Sequence, residues 1–164
     1  MIACKPNLPF EFNGAYVPAG SHVLKHSSGG APIWAKPIGM LESPSVAVTP
    51  TGSIAVGGTF SGTQDFGTGP LTADGLSDAV VLLMDSAGAV QDAAQLGGAG
   101  SGHLQAIAFE PTGGLLATGE FSGSLTAGTF SATSNGSQDM FMTKLDKNLN
   151  PVWRQSFGGT PPDR

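Results

Sequence analysis

An internal repeat constrains this chain more than any other feature. Residues 46–62, Val-Ala-Val-Thr-Pro-Thr-Gly-Ser-Ile-Ala-Val-Gly-Gly-Thr-Phe-Ser-Gly, return 61 positions later, at 107–123, as Ile-Ala-Phe-Glu-Pro-Thr-Gly-Gly-Leu-Leu-Ala-Thr-Gly-Glu-Phe-Ser-Gly. The same offset carries Asp74-Gly75 onto Asn135-Gly136, Asp78 onto Asp139 and Asp85 onto Asp146. Such a period marks units too small to bury an apolar face alone, which stack to do so. A third, partial copy comes first: residues 22–30 parallel 81–89, and residues 33–39, with Trp34 and Lys36, parallel 152–158. Residues 1–10 fall outside the pattern. The expected division is a partial first unit over 11–40, a second over 41–100, and a third over 101–164 whose last residues, Pro161 to Arg164, begin a linker. The chain reads as a segment of an array.

Within a unit the apolar period is two. Ile54, Val56, Gly58 and Phe60 share one strand face, as do Leu115, Ala117, Gly119 and Phe121. Glycines 57, 58 and 119 leave room for a neighbouring sheet. Pro50-Thr51-Gly52 and Pro111-Thr112-Gly113 read as tight hairpin connections, and Asp74-Gly75 and Asn135-Gly136 as type I′ turns. Residues 79–84 are apolar on both faces and are expected between two sheets. Ser86-Ala87-Gly88 turns the chain into a last strand over 90–96. Each unit is therefore a meander of four principal strands, with a short extra strand near 70–73. Four-stranded sheets packed radially are propeller blades. At this period the 164 residues hold about 2.7 blades, fewer than the roughly 4–8 of a closed propeller. A linear solenoid or a tandem sandwich are the competing all-β arrangements.

Composition excludes several other classes. The chain is 40% hydrophobic and only 12% charged, too apolar for a disordered tail. Its net charge of −5 argues against binding a nucleic-acid backbone. No apolar run approaches a membrane span. Cys4 is the single cysteine, so no internal disulfide or cysteine metal cluster forms. Met1-Ile2-Ala3-Cys4 lacks the basic and apolar regions of a signal peptide. The Ile2-Ala3-Cys4 ending faintly resembles a lipoprotein lipidation site, against the plainer reading of an ordinary terminal thiol.

Residues 60–72, Phe-Ser-Gly-Thr-Gln-Asp-Phe-Gly-Thr-Gly-Pro-Leu-Thr, followed by Ser77-Asp78 and an apolar strand ending in Asp85, resemble a bacterial β-propeller repeat family. Repeats of this seven-bladed type occur in large secreted or cell-surface proteins. Residues 138–146 and 152–159 match its next segment, and the likeness covers most of 11–164. It implies the fold, an extracellular or cell-surface location, and a recognition or scaffolding role. It implies no particular ligand. Two positions depart from the pattern: Gln91 or Asp92 stands where the other units have Trp, and Leu149 where the turn prefers Gly.

No residue set assembles a catalytic or metal site. His22 and His26 sit four apart in an extended segment, too far to chelate readily, with His26 at the place of Asp85 and Asp146; His103 stands alone. Asp146-Lys147-Asn148-Leu149-Asn150 begins like a calcium loop but has Pro151 at the sixth place and Phe157 at the twelfth, so it reads as a turn. Residues 97–102 read as a flexible connector. Asp78 and Asp139 form either a ring of carboxylates at one mouth of a propeller or, by the simpler reading, caps on the turns beside them. Asn135-Gly136-Ser137 is a formal glycosylation sequon, expected unmodified in a bacterial protein. Neither a Ser–His–Asp set nor a paired-carboxylate motif is present.

The function expected from these residues is a non-enzymatic propeller segment without cofactors, its partners the rest of its own chain or other copies completing the ring. A protein or glycan ligand is compatible with this reading; nucleic acid is not. A lectin-like module is the first rival, limited by few polar-handled rings: Trp34, Trp153 and Tyr16, with both tryptophans expected on inner strands. The propeller part of a longer extracellular enzyme is the second.

Overall fold

A computed structural model describes residues 1–160; the linker expected at Pro161 to Arg164 lies outside the described residues. Among the described residues there is no helix, and the chain is all-β, made of antiparallel sheets of two to four strands. The first unit comprises β1 (Ile2–Cys4), the hairpin β2 (Phe10–Phe12) and β3 (Ala15–Val17), then β4 (His22–His26) and β5 (Pro32–Pro37). The second comprises β6 (Glu42–Val48), β7 (Ile54–Phe60), the hairpin β8 (Thr63–Asp65) and β9 (Pro70–Thr72), then β10 (Asp78–Met84) and β11 (Val90–Leu96). The third repeats it: β12 (Gly102–Phe109), β13 (Leu115–Phe121), β14 (Ser124–Ala127) with β15 (Phe130–Thr133), β16 (Asp139–Leu145) and β17 (Pro151–Phe157).

The two complete units are tandem four-stranded meanders, ordered β6-β7-β10-β11 and β12-β13-β16-β17. The first is a three-stranded sheet, β1-β4-β5. Ile2–Cys4, outside the sequence repeat, thus pairs with β4 as β7 pairs with β10. The extra strand near 70–73 is β9, one half of a hairpin present in every unit. The sheets do not close into a barrel, and their succession is consistent with a propeller segment.

The core lies between units. One apolar cluster joins Val23, Ile38 and Leu41 to Ile54, Val56, Phe60, Val80 and Met84. Another joins Ala55, Ala79, Val81 and Leu96 to Leu104, Ile107, Leu115, Phe121, Phe141 and Leu149. The central strands β7 and β10 are therefore buried on both faces, whereas β13 and β16 alternate. Close approach is set by Gly57, where a Cβ would stand 2.5 Å from Leu104 Cδ2 and 2.9 Å from Ile107 Cγ2. Leu104 and Ile107, three apart, point the same way because β12 shifts register between Leu104 and Ala106. At that irregularity the Leu104 N–H crosses the boundary and donates to Thr59 Oγ1 (3.1 Å).

Five hairpins share one turn. In each, the first residue's N–H bonds the fifth residue's carbonyl at 2.8–3.0 Å: Ser27 with Ala31, Thr49 with Ser53, Asp85 with Ala89, Glu110 with Gly114, and Asp146 with Asn150. The fourth residue is left-handed. It is Gly30, Gly52, Gly88, Gly113 and, at φ +60°, Leu149. This fixes the alignment of the first unit: Ser27, not His26, holds the place of Asp85 and Asp146. The sequence alignment slipped by one because the apolar Val23-Leu24 and the pair Gly29-Gly30 match the second unit in either of two registers; the bulge after Lys25 recurs after Leu83 and Lys144. Asp74-Gly75 and Asn135-Gly136 are not type I′ turns, since none of the four has positive φ. The Asn-Gly turn of that kind is Asn13-Gly14 (φ +54° and +73°), closing the two-residue loop between β2 and β3.

Candidate functional site

Two repeated features lie near unit boundaries: the carboxylates at the start of β10 and β16, and the hairpin turns after β6 and β12. Asp78 is fully buried. Its Oδ2 accepts the Asp74 N–H (2.9 Å) and Gln95 Nε2 (2.6 Å), and its Oδ1 accepts the Gly98 N–H (3.4 Å). It ties the loop before its own strand to the connector after β11, as the capping reading requires. Among the described residues Asp139 keeps only the first of these bonds, from the Asn135 N–H (2.9 Å), and its buried Oδ1 has no partner there. The corresponding residue of the first unit is Gly20, so that unit carries no carboxylate at this place.

The connector over 97–102, read as flexible from its glycines, is laced on both sides. Thr126 N–H donates to Gly97 O (2.5 Å), Ser124 N–H to Ala99 O (2.7 Å), Leu76 N–H to Gly100 O (2.6 Å), and Gly102 N–H to Ser77 O (2.7 Å). The glycines are there because strand-like backbone passes on either side. Arg154 holds the β14–β15 hairpin to the last strand, donating to Leu125 O (3.0 Å) and Ser131 O (2.5 Å); burial lowers its pKa.

The remaining candidates resolve one by one. His22 is buried with Nδ1 3.0 Å from Gly20 O, and Phe10 and Phe12 stack edge-on against His22 and His26. His103 is half-buried on β12, away from both. Asp146 caps its own turn, Oδ1 accepting the N–H groups of Asn148 and Asn150 at 2.8 Å. Those bonds, led by Asn150, hold its carboxyl below the ordinary aspartate range. Asp85 does the same with Ala87 and Ala89, so the calcium-like run is a turn of this repeat. Asn135 of the sequon is exposed. Burial pushes the Cys4 thiol up, which disfavours the reactive thiolate. Trp34 and Trp153 lie on β5 and β17, the edge strands of their sheets and not inner ones.

A cleft of about 620 Å³ opens between the second and third units. Its walls are the two matching turns, with Pro50 and Thr51 opposite Glu110 and Pro111, and Val48 and Phe109 below. Val48 is 45% exposed, a large apolar side chain at the end of its strand. Glu110 is held to one side by Lys144 Nζ at 2.7 Å. The cleft offers apolar contact and threonine hydroxyls. The sequence signal for it was the repeated Pro-Thr-Gly turn, each copy following an apolar strand end. No protein-family model and no curated protein matches the chain.

Proposed function

We propose that the chain is a non-enzymatic β-propeller repeat segment of a secreted or cell-surface bacterial protein, serving recognition or scaffolding. The observation that supports this most is the boundary between the second and third units. Two meanders of equal order stack face to face there, with β12 against β6 and β7, and leave an apolar cleft between matching turns. Extended protein segments with small apolar side chains fit such a cleft. Screening the chain against a displayed peptide library tests the reading, with Phe109→Asp as the control. Enrichment that Phe109→Asp abolishes supports recognition at the cleft; enrichment that it leaves intact places recognition elsewhere.

One observation favours a carbohydrate-binding alternative. Tyr16, 72% exposed, lines a hollow of about 210 Å³ together with Trp34, Phe12 and Asn13. The rings of Tyr16 and Trp34 beside the Asn13 amide offer a sugar both apolar and polar contact. A glycan array with no hits removes this alternative, and hits lost in Tyr16→Ala favour it over the peptide reading. Hydrolysis of array glycans or library peptides by the chain would instead support the enzyme rival.

A further inference from the structure

The two departures from the repeat pattern are a single exchange. By pairing register, Lys25 opposite Trp34 in the first unit corresponds to Leu83 opposite Asp92 in the second and Lys144 opposite Trp153 in the third. Each pair lies on the face turned toward the following unit. At the first boundary, Trp34 meets the second unit's glycine turn: a Cβ on Gly88 would stand 3.0 Å from the indole and 2.8 Å from Lys36 Cγ. Lys25 Nζ lies 5.7 Å from the same indole and donates to Ser86 O (2.8 Å) of that turn. At the second boundary the large side chain has changed sides. Asp92 is exposed where Trp34 stood, and Leu149, at Gly88's place, is buried in the inter-unit cluster with Leu83 beside it. Trp with Gly and Asp with Leu are alternative ways of filling the same space.

The outward face of the third unit carries the first alternative. Met140, Met142 and Leu116 occupy the places of Ala79, Val81 and Ala55, which the third unit covers in the second. Met140 is 51% exposed and Met142 36%. A hollow of about 220 Å³ lined by Ala106, Ala108, Leu116, Thr118 and Met142 lies at the place that Leu104 and Ile107 fill one unit earlier, with Thr118 standing where Gly57 admits them. Glu120, at the place of Thr59, offers an acceptor there. Beside the hollow stand Lys144 and Trp153.

We infer that this face is the docking surface for one further repeat of the same kind, a complete four-stranded unit whose third hairpin turn has glycine at its fourth position and whose first strand places a side chain smaller than Leu104 against Thr118. The inference rests on the propeller-repeat reading and specifies its partner. A second copy of this chain does not supply such a unit. Among the described residues its second unit is covered by its first, and its first is a three-stranded sheet, β1-β4-β5, with no strand aligned with β12.

The test extends the chain after Gly159 with a duplicate of its own residues 99–159 carrying Leu104→Ala, which makes room for Thr118, in two forms: with Leu149 retained in the appended copy, and with Leu149→Gly there. Peroxide oxidation of Met140 and Met142 in the host unit, read by mass spectrometry, reports coverage of the face. The glycine form should slow that oxidation about tenfold, the protection given by a face covered nine-tenths of the time, and the leucine form should not. Trp153→Asp in the host should reverse the preference. Equal protection by both forms, or an unreversed preference, overturns the pairing rule while leaving repeat stacking intact. Protection by neither form overturns both. Self-association of the unextended chain, lost in Trp153→Asp and seen by sedimentation, would make the occupant a second copy and also overturn the inference.

Discussion

Leu149 is the residue on which the packing of the second boundary can be weighed. It combines a backbone strain with a buried side chain: φ is +60° and the residue is 4% exposed. Holding a leucine in the left-handed region costs about 1–2 kcal/mol, which Leu149→Gly would relieve. Emptying the space of a buried leucine costs about 3–5 kcal/mol where the surroundings are β-sheets unable to close in. The loss exceeds the relief, so Leu149→Gly should destabilise by about 1–4 kcal/mol and lower Tm by roughly 2–16 °C. Asp92→Trp alone should overfill the same space at a cost of about 1–3 kcal/mol. Together the two changes rebuild the arrangement of Trp34 with Gly88, and the double variant should be at least about 1 kcal/mol more stable than the singles summed. Urea unfolding of the four chains measures this coupling. Stabilisation by Leu149→Gly, or additivity within about 0.5 kcal/mol, would refute the exchange.

Phe60 and Phe121, 1% and 0% exposed, should each cost about 3–5 kcal/mol on truncation to alanine, read by the same unfolding curves. Gly57→Ala sets a methyl against Leu104 and Ile107 and should cost about 1–3 kcal/mol, visible as a lower Tm. Asp78→Asn should be more damaging than Asp139→Asn, because Asp78 accepts three hydrogen bonds and Asp139 one; each bond to a carboxylate is worth about 1.5–3 kcal/mol. Asp146 should titrate below the ordinary aspartate value, its stabilising effect complete above that value and lost as pH falls through the lower folded one. An NMR titration that finds the ordinary midpoint would count against its turn-capping role; Asn150→Ala, which removes the side-chain donor and keeps the backbone one, should raise the midpoint only in part.

The strands were legible where both faces of a segment carry information. Residues 54–60 and 79–84 are apolar beyond simple alternation, and both are buried on two sides. Turns were legible only when the loop was short. Asp74-Gly75 and Asn135-Gly136 lie in longer loops organised by Asp78 and Asp139, whose oxygens accept the Asp74 and Asn135 N–H groups and so remove the need for positive φ. Asn13-Gly14 had no partner in the repeat and so drew no notice, although its two-residue loop demands that turn. The half-unit at the start was aligned one residue off because Val23-Leu24 and Gly29-Gly30 fit their counterparts in two registers, and only the hydrogen-bonded turn chooses between them. The cleft between turns depends on the distance between units, which no single-unit pattern encodes. Its proline-threonine walls were visible only as turns.

Repeats that stack through similar faces face a problem that single cores do not. If every boundary were chemically alike, any unit could seat on any other, and slipped or exchanged pairings would compete with the native order. The alternation found here works against that. A glycine turn set on Leu83 and Asp92 leaves a void, and a leucine turn set on Trp34 overlaps an indole already within 3.0 Å of a modest Cβ. Either mispairing sacrifices stability, the first through an unfilled space and the second through overpacking. Leu149 therefore carries its strained backbone for a reason beyond local stability. Glycine at that turn would make the third unit acceptable to the face of the first, whereas leucine confines it to the second.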